Sequence, residues 1–437
     1  MTGIYSLLTD VWMVLLNNKY GFFPSGSVAW RISEEGFMEP VKAVINNLKL
    51  RTSYGFTGNT EIGVYESLAT LGSNSWTIGN QLVSGFYPNR IPNPDLKWEK
   101  TGQFDIGFDL GLFNNRLRLT ADYYYKKTTD LLYNVAIPSA SGYDSMLKNI
   151  GSVQNKGYEL SIESDNLSGA FSWTTAFNIS FNRNKVLELG GETYKDVGTY
   201  DDHLKTSDIR RLIVGQPIGV FYGYRFDGIF QNEAECAQQT SSPSPIGVGL
   251  RRYKDLNGDG KIDATNDREI LGDANPKFFG GMTNTFAYKG FELNVFLQYS
   301  YGNKIFNYNA MELESPTGGQ NVYQDLVNRW TPTNPSNEYQ KATTNRNNIV
   351  SDRFIEDGSF LKLKTVSLSY SFPKLNWKHI GGLRLYVTGQ NLLTWTKYRG
   401  YDPEVSYRGA STLEAGEDFG GYPQARTFMF GIKLDIK

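Results

Sequence analysis

The last stretch of the chain, residues 426–437, alternates between apolar and mostly polar positions. The apolar positions are Phe428, Phe430, Ile432, Leu434 and Ile436. Because side chains alternate across a strand with a period of two, the pattern predicts a strand with one apolar and one mostly polar face. A soluble protein seldom leaves such a strand unprotected, whereas a transmembrane β-barrel needs it, with the apolar face toward lipid.

The same alternation recurs along the chain. After a first candidate within Phe22–Ile32, it occupies Leu48–Phe56, Phe104–Leu112, Arg116–Lys126, Tyr158–Glu163, Phe171–Asn182, Met282–Tyr288, Phe291–Tyr301, Leu361–Phe372 and Leu383–Gln390. Tight turns are predicted at Asn114-Asn115 and Lys289-Gly290, since Asn and Gly tolerate a positive φ. Between Leu363 and Val366 the apolar parity switches, which predicts a β-bulge.

The connections between these strands alternate in length. Short ones lie near residues 33–47, 113–115, 165–170, 289–290 and 373–382, and long ones near 57–97, 127–152, 183–277, 302–358 and 391–423. Outer-membrane barrels combine short periplasmic turns with long extracellular loops. We therefore predict an all-β fold, a transmembrane antiparallel β-barrel with roughly eleven to thirteen membrane strands, long extracellular loops and short periplasmic turns.

One part of this strand count stays open. With Lys289-Gly290 in the periplasm, parity allows either no further membrane strand or two of them within residues 183–277. The candidates are Val220–Phe226 and Leu250–Asp255, unless these two segments pair with each other as an extracellular hairpin.

Composition narrows the class of protein. The 437 residues contain 28 Tyr, 26 Phe, 8 Trp and 45 Gly, consistent with the aromatic girdles and glycine-rich turns of a barrel. The chain has no apolar run that reaches the length of a membrane helix. The net charge of −1 gives no field that would recruit nucleic acid. One cysteine, Cys236, excludes an internal disulfide framework, and two histidines, His203 and His379, make catalysis built on several histidines improbable.

A candidate metal site lies in DLNGDGKID, residues 255–263, which matches the calcium-loop pattern D-x-[DN]-x-[DN]-G. The expected oxygen donors are Asp255, Asn257, Asp259, the Lys261 carbonyl, Asp263 and Asp267. Asn266 stands where an EF-hand has its bidentate Glu. The expectation is a structural Ca²⁺ in an extracellular loop, and the alternative is a plain turn rich in Asn-Gly and Asp-Gly.

Aromatic and acidic residues suggest two further roles. Trp76, Trp330 and Trp395 lie on predicted extracellular loops, where they either stack on a sugar substrate or pack the loops. Glu159 and Glu163 share one face of a strand, a pairing that glycoside hydrolases use. Carboxylates are plentiful here, so we expect these two to line the pore, and we expect the protein not to be an enzyme.

Several ordered phrases point to one family. They are NKYGFFPSGSVAWRISEE (18–35), LKLRTSYGFTGN (48–59), IPNPDLKWEKTGQFDIGFDLGLFNNRLRLTADYYYKKTTDLL (91–132), NIGSVQNKGYEL (149–160), PIGVFYGYRFDGIFQ (217–231), DLNGDGKID (255–263) and PQARTFMFGIKL (423–434). Together they make residues 18–437 resemble the carboxyl-terminal part of the SusC/RagA group of TonB-dependent outer-membrane transporters.

The resemblance implies a barrel of about 22 strands in the outer membrane of a Gram-negative bacterium. It implies import of a glycan or peptide substrate, captured with a SusD-type surface lipoprotein and driven by the TonB complex, with outer-membrane lipid around the barrel. The family's plug and TonB-contacting segment have no counterpart here, so we expect the chain alone not to be transport-competent. The alternative is a soluble, secreted, β-rich glycan-binding module.

Residues 1–17 do not fit the family pattern and form an atypical leader. Codon degeneracy lets MTGIYSL be an off-frame version of NDRYLLT, so the hypothesis is a frameshifted or mis-started sequence. The alternative is a divergent strand. The nucleotide sequence distinguishes the two.

Overall fold

The computed structural model describes residues 4–7, 10–12, 18, 20–59, 67–136, 143, 145–198, 206, 208–315, 321–344, 348–372, 380–409, 411 and 413–436. The chain divides into two compact units, the first made of Met1–Ile162 and Asn182–Thr193, the second of Glu163–Phe181 and Tyr194–Lys437. His203, and the predicted turn with Trp377 and His379, lie outside the described residues.

The first unit is built on an antiparallel ladder of long strands. In ladder order these are Ile4–Leu7, Ser25–Arg31, Ile45–Asn59, Glu99–Leu112, Leu117–Thr129 and the first part of Ser152–Ser168. The predicted tight turn is confirmed, since Asn114 and Asn115 have φ of 62° and 59°. Ile4–Leu7 pairs with Ser25–Arg31, so part of the atypical leader is a strand. The reading-frame hypothesis concerns the DNA and stays a prediction.

The second unit continues the same design. Its ladder strands are Phe171–Glu188, of which the last part belongs to the first unit, then Phe278–Tyr288, Phe291–Tyr301, Phe360–Ser371, Ile380–Thr396 and Thr427–Ile436. Lys289 and Gly290 turn with φ of 46° and 88°, and the register shifts between Leu363 and Thr365, which confirms the predicted bulge. Counted over the described residues, the ladder strands number twelve, within the predicted range.

The long ladder strands have an apolar and a polar face, as the alternation predicts. On the strand Glu99–Leu112, Phe104, Ile106 and Phe108 are 36–40% exposed, while Asp105 and Asp109 point to the opposite face. On that opposite face Arg51 pairs with Asp122 at 2.7 Å and with Asp109 at 3.5 Å. Large apolar side chains exposed in rows on a regular ladder are typical of a surface that meets lipid.

The long connections contain structure of their own. In the first unit, Thr70–Ile78 pairs with Gln81–Arg90, and Leu132–Ala136 pairs with Ser145–Asn149. In the second unit the loop strands are Tyr194–Val197, Arg210–Ile213, Val220–Tyr224, Phe226–Ile229, Arg251–Tyr253, Arg268–Asp273, Lys304–Asn307, Ile355–Asp357 and Glu417–Asp418. Two short α-helices, Glu233–Cys236 and Tyr308–Leu313, accompany them.

These loop strands resolve the open strand count. Val220–Tyr224 pairs with Arg268–Asp273, and Arg251–Tyr253 pairs with Phe226–Ile229. The two candidate segments are therefore not ladder strands. They do pair with each other where Phe226 stands opposite Tyr253 and the Lys254 N–H donates to the Arg225 carbonyl at 2.9 Å, which bears out the hairpin alternative in part. Among the described residues, no helix has the length and apolar character needed to cross a membrane.

Candidate functional site

The long loops of the second unit pack around a hydrophobic cluster, which we name the loop core. Its buried members are Ile209, Phe221, Phe306, Tyr308, Ala310, Met311, Val350 and Phe354. They come from four separate loop segments, and Phe306 lies 6.1 Å from Phe221 and 4.8 Å from Tyr308 between ring centroids. The long loops of this unit therefore pack together around one shared hydrophobic core.

Buried ion pairs hold the loop core to its neighbours. Arg210 and Glu417 are 2% and 1% exposed and pair at 3.1 Å, although they lie 207 positions apart in the chain. Arg210 also donates to the carbonyl of Gly219 at 2.7 Å. Burial raises the pKa of the Glu417 carboxyl, and the Arg210 guanidinium offsets only part of that shift. Such pairs fix which segments meet, because a buried charge without its partner is costly.

A second buried carboxylate, that of Glu314, lies close to three arginines from separate loop segments. Glu314 is 1% exposed and accepts from Arg353 at 2.7 Å and from Arg399 at 3.3 Å. Arg251, also buried, approaches the same carboxylate at 3.8 Å. Arg399 pairs in addition with Glu356 at 2.9 Å. These contacts join segments that the sequence separates by as much as 148 positions, from Arg251 to Arg399.

The last long loop is fastened to the polar face of a ladder strand by four charged residues, which we name the Lys362 cluster: Lys362, Lys364, Asp402 and Glu404. Lys362 is 2% exposed and donates to Asp402 and to Glu404, each at 2.6 Å. Lys364 reaches Glu404 at 3.0 Å. Burial alone would raise the pKa values of Asp402 and Glu404, but the hydrogen bonds from Lys362 and, at Glu404, Lys364 outweigh it and lower both.

The polar face of the first unit carries an open cleft of about 500 Å³. It is lined by Thr101, Gln103, Asp105, Tyr124, Lys126, Thr128, Asn155, Glu159 and Asn182. Tyr124 donates to Asn182 at 3.0 Å, and Gln103 donates to Asp105 at 2.9 Å. Hydroxyl, amide and charged groups on one wall suit a polar partner, as expected for the lumen side of a barrel.

A different arrangement occurs in the first long loop, where Thr70–Ile78 and Gln81–Arg90 form a structure that we name the loop hairpin. Both of its faces carry exposed apolar side chains: Leu71 (70%), Trp76 (57%), Ile78 (67%), Leu82 (77%), Phe86 (74%) and Tyr87 (44%). The sequence analysis predicted one long loop over residues 57–97 and missed this hairpin, because the Gly, Asn and Ser content of the segment is high. The signal was present in Gly79-Asn80, a hairpin turn type with φ of 59° and 64°.

The predicted calcium loop adopts a tight turn in which its carboxylates accept backbone N–H groups. Asp255 accepts from Gly258 at 2.6 Å and from Gly260 at 2.7 Å, and Asp263 accepts from Asn266 at 2.8 Å. The backbone N–H of Gly260 foremost, and then that of Gly258, lower the pKa of Asp255. Buried Asp267 closes the turn by accepting from the backbone N–H of Asp263 at 2.8 Å.

These contacts decide how far the loop fits a cation. Asn257, Asp259 and Lys261 are linked to one another, since Asp259 accepts from the side chain of Asn257 and from the backbone N–H of Lys261. Over the described ranges, no group of three or more His, Cys, Asp or Glu residues is placed to hold a metal ion. The hydrogen bonds alone explain the shape of the turn, and Ca²⁺ binding stays a prediction.

The three candidate tryptophans occupy three different settings. Trp76 is exposed on the loop hairpin, with its ring over Gly85. Trp330 donates to Gln231 at 3.1 Å and packs its ring on Gly249 within the loops. Trp395 is not in a loop: it lies in the strand Ile380–Thr396, opposite Leu361, because the alternation continues past the predicted end of that strand. A substrate-binding role for each of them stays a prediction.

Comparison with known proteins identifies the family. A model described as TonB dependent receptor-like, beta-barrel, matches residues 14–228. TonB-dependent receptor P3 of Formosa agariphila is 42% identical over 427 residues, covering 96% of this chain and 42% of the relative. TonB-dependent receptor SusC of Bacteroides thetaiotaomicron is 30% identical over 435 residues, covering 96% of this chain and 40% of the relative. The chain thus spans less than half the length of these curated relatives.

Solved structures agree with the sequence comparison. The RagAB peptide transporter matches with a TM-score of 0.79 and 27% identity, covering 96% of this chain and 44% of that chain. The RagAB peptide importer in its closed-closed state matches with a TM-score of 0.80 and 26% identity, covering 99% of this chain and 45% of that chain. These relatives are receptors and transporters rather than enzymes. The resemblance to the SusC/RagA group is confirmed: residues 14–228 match the β-barrel of the TonB-dependent receptors, and 96% of the chain is similar to receptors of this family, which lie in the Gram-negative outer membrane.

Proposed function

We propose that this chain supplies barrel wall and extracellular loops to an importer that carries oligosaccharides or peptides across the outer membrane, working with a SusD-type lipoprotein and energised by the TonB complex. The observation that carries the proposal is the ladder, with rows of exposed apolar residues on one face and a polar cleft on the other. A transport barrel needs this division between a lipid side and a water side. Similarity to SusC and to the RagAB peptide transporter supports the same function.

The loop hairpin is where we propose that the lipoprotein docks. An isolated two-stranded hairpin is at best marginally stable in water, and this one exposes apolar side chains on both faces. Exposed apolar patches of this kind mark protein interaction sites, and Trp is enriched among the residues that dominate binding energy. Trp76 and Phe86, on opposite faces of the hairpin, are the proposed anchors.

The docking experiment is co-purification of the tagged chain with the SusD-type lipoprotein encoded nearest to its gene. The double variant Trp76→Ala/Phe86→Ala is expected to reduce recovery of the lipoprotein at least tenfold, because it removes both anchors. Tyr422→Ala is the matched control, since Tyr422 is 91% exposed in another loop. Equal recovery with both variants would remove the hairpin from the interface while leaving the transport proposal intact.

Transport is tested in the source bacterium. Deleting the locus should abolish growth on one class of polymeric nutrient, either a polysaccharide or a peptide mixture, while growth on the monomers continues. The locus restored with the wild-type chain should recover growth. Unchanged growth on every polymer tested would contradict the importer function.

The soluble glycan-binding alternative makes the opposite prediction about detergent. A barrel wall with rows of exposed Phe, Leu and Ile should partition into membranes, whereas a soluble module should stay monomeric in buffer alone. Fractionation of cells expressing the chain measures this directly. A folded, detergent-free monomer would replace the importer with the soluble module.

A further inference from the structure

An apolar cleft lies at the rim of the ladder in the second unit, on the face that carries the exposed apolar rows. We name it the rim cleft; it has a volume of about 570 Å³, within the range of small-molecule sites (~300–1,000 Å³). Its main lining side chains are Phe278, Tyr299, Tyr301, Leu361, Trp395 and Lys397. Nothing in the import function described above uses this cleft.

The register of three strands explains why the cleft exists. Tyr299, Leu361 and Trp395 stand directly opposite one another, so they form one row across the apolar face. Tyr299 leans away from Leu361, because its ring crosses the side chain-free position of Gly280 and its hydroxyl donates to the carbonyl of Asn178 at 2.8 Å. The space above Leu361 therefore stays open, with Trp395 as one wall.

The opposite wall is an aromatic stack. Phe278 and Tyr301 pair across neighbouring strands, and their rings stack with centroids 5.0 Å apart. Tyr301 and Trp395 remain 50% and 51% exposed. A slot between two aromatic walls with a leucine floor is suited to a flexible hydrocarbon chain, which gains contact area without needing hydrogen bonds.

Lysines give the upper edge of the cleft a positive charge. Lys397 is exposed at the edge of the cleft, and both Lys304 and Lys397 lie close to Asp357. Asp357 is already engaged, since its carboxylate accepts from the backbone N–H of Ser359 at 3.0 Å and from its hydroxyl at 2.6 Å. Two cations against one carboxylate leave a net positive charge where the strands end.

The position of the cleft identifies its occupant. The face is the one that meets lipid in an outer-membrane barrel, and the cleft lies at the end of the strands that carries the long, extracellular loops. A molecule at that depth has its acyl chains beside Leu361 and its head group beside Lys397. We propose that the rim cleft is a binding site for one outer-leaflet lipid with an anionic, phosphorylated head group.

The experiment uses the full chain, folded in detergent micelles and examined by native mass spectrometry with two probe lipids that share their acyl chains. Dioleoyl phosphatidylglycerol is the anionic probe and dioleoyl phosphatidylcholine the zwitterionic one. The wild-type chain is expected to retain the anionic lipid in preference. Lys397→Gln should lower that retention about fivefold, the scale of one lysine beside an anionic membrane surface, and should leave the zwitterionic lipid unchanged.

Matched variants separate this site from general lipid contact. Trp395→Ala should lower retention of both lipids, since it removes a wall of the cleft. Lys289→Gln and Phe291→Ala alter a lysine and an exposed phenylalanine of the same ladder at its other end, and should change nothing. Heat-shifted migration on gels verifies that each variant is folded, and Lys397→Gln changes only an exposed side chain.

Three results would overturn the proposal. The first is equal retention of the anionic lipid by the wild-type chain and Lys397→Gln. The second is an equal loss with Lys289→Gln, which would indicate contact with lipid in general. The third is binding of a soluble oligosaccharide, maltoheptaose, that depends on Trp395 while lipid retention does not, which would make the cleft a glycan site.

Discussion

The loop core of the second unit and the loop hairpin of the first place their apolar side chains in opposite settings, buried in the one and exposed in the other. Both are extracellular excursions from a ladder and both are rich in aromatic residues. In the loop core, Phe306 and Phe354 are fully buried, and charged pairs such as Arg210–Glu417 lie beside them. In the loop hairpin, Leu82 and Phe86 are 77% and 74% exposed. Apolar residues in the first setting stabilise the fold, whereas those in the second are available to a partner.

The largest expected effect on stability comes from removing a phenylalanine ring of the loop core, and the same change in the loop hairpin is its comparison. Phe306→Ala opens a cavity in the loop core and should destabilise it by about 3–5 kcal/mol, while Phe86→Ala removes an exposed ring and should cost less than about 0.5 kcal/mol. Hydrogen exchange of peptides covering residues 304–314 measures the first change, and peptides covering 81–90 measure the second. Similar losses of protection at both sites would show that the hairpin is buried and break the comparison.

The Lys362 cluster should give the next effect. Lys362→Met leaves Asp402 and Glu404 without their buried cation, which should destabilise the docked loop by about 3 kcal/mol. Exchange of peptides covering residues 398–424 would report the release, and Lys289→Met, at an exposed turn, is the control that should change nothing. If the loop stayed protected in Lys362→Met, its attachment would not depend on the buried charge of Lys362.

Acid should release the same loop in the wild-type chain. The pKa values of Asp402 and Glu404 are lowered from their ordinary values of 3.8 and 4.5. Ionised carboxylates therefore stabilise the docked loop above those ordinary values, and this contribution is lost as the pH falls below them, through the lowered values of the folded state. Exchange of residues 398–424 at a series of pH values measures the midpoint. The loop hairpin contains no acidic residue, so its exchange, corrected for intrinsic rates, should not follow this curve.

The ladder could be predicted from the sequence, and the loop core could not, for a physical reason. A strand such as Phe291–Tyr301 repeats its alternation five times, and its partner Phe278–Tyr288 ends only two residues before it begins. The loop strand Lys304–Asn307 has four residues, too few for alternation to be distinctive, and it pairs in parallel with Glu417–Asp418, 111 positions later. The burial of Arg210 and Glu417 could not be predicted from the sequence either, because charged residues are expected at the surface unless a partner is known.

Individual sites show the same limit. The pattern at 255–263 correctly located a sharp turn, since Gly258 and Gly260 have φ of 77° and 76°. The motif does not reveal from which donors its carboxylates accept hydrogen bonds. Trp395 was assigned to a loop because the strand was predicted to end at Gln390, although the ladder continues to Thr396. In the turn the missing information was which nearby N–H each carboxylate accepts from, and at Trp395 it was the position of a distant strand partner, Leu361.

The smallest expected effect concerns the calcium loop, which lies in the second unit but, like the loop hairpin, is exposed. Asp255→Asn keeps one of the two oxygens that accept from Gly258 and Gly260 and loses the negative charge, so it should disturb the turn only locally. If the loop binds Ca²⁺, calorimetry of the full chain should show heat that this substitution abolishes. Asp227→Asn, a partly exposed aspartate outside the motif, should keep that heat. No heat in the wild-type chain would leave 255–263 as a turn held by its own backbone, and the stabilisation of the second unit would then rest on its buried core and ion pairs alone.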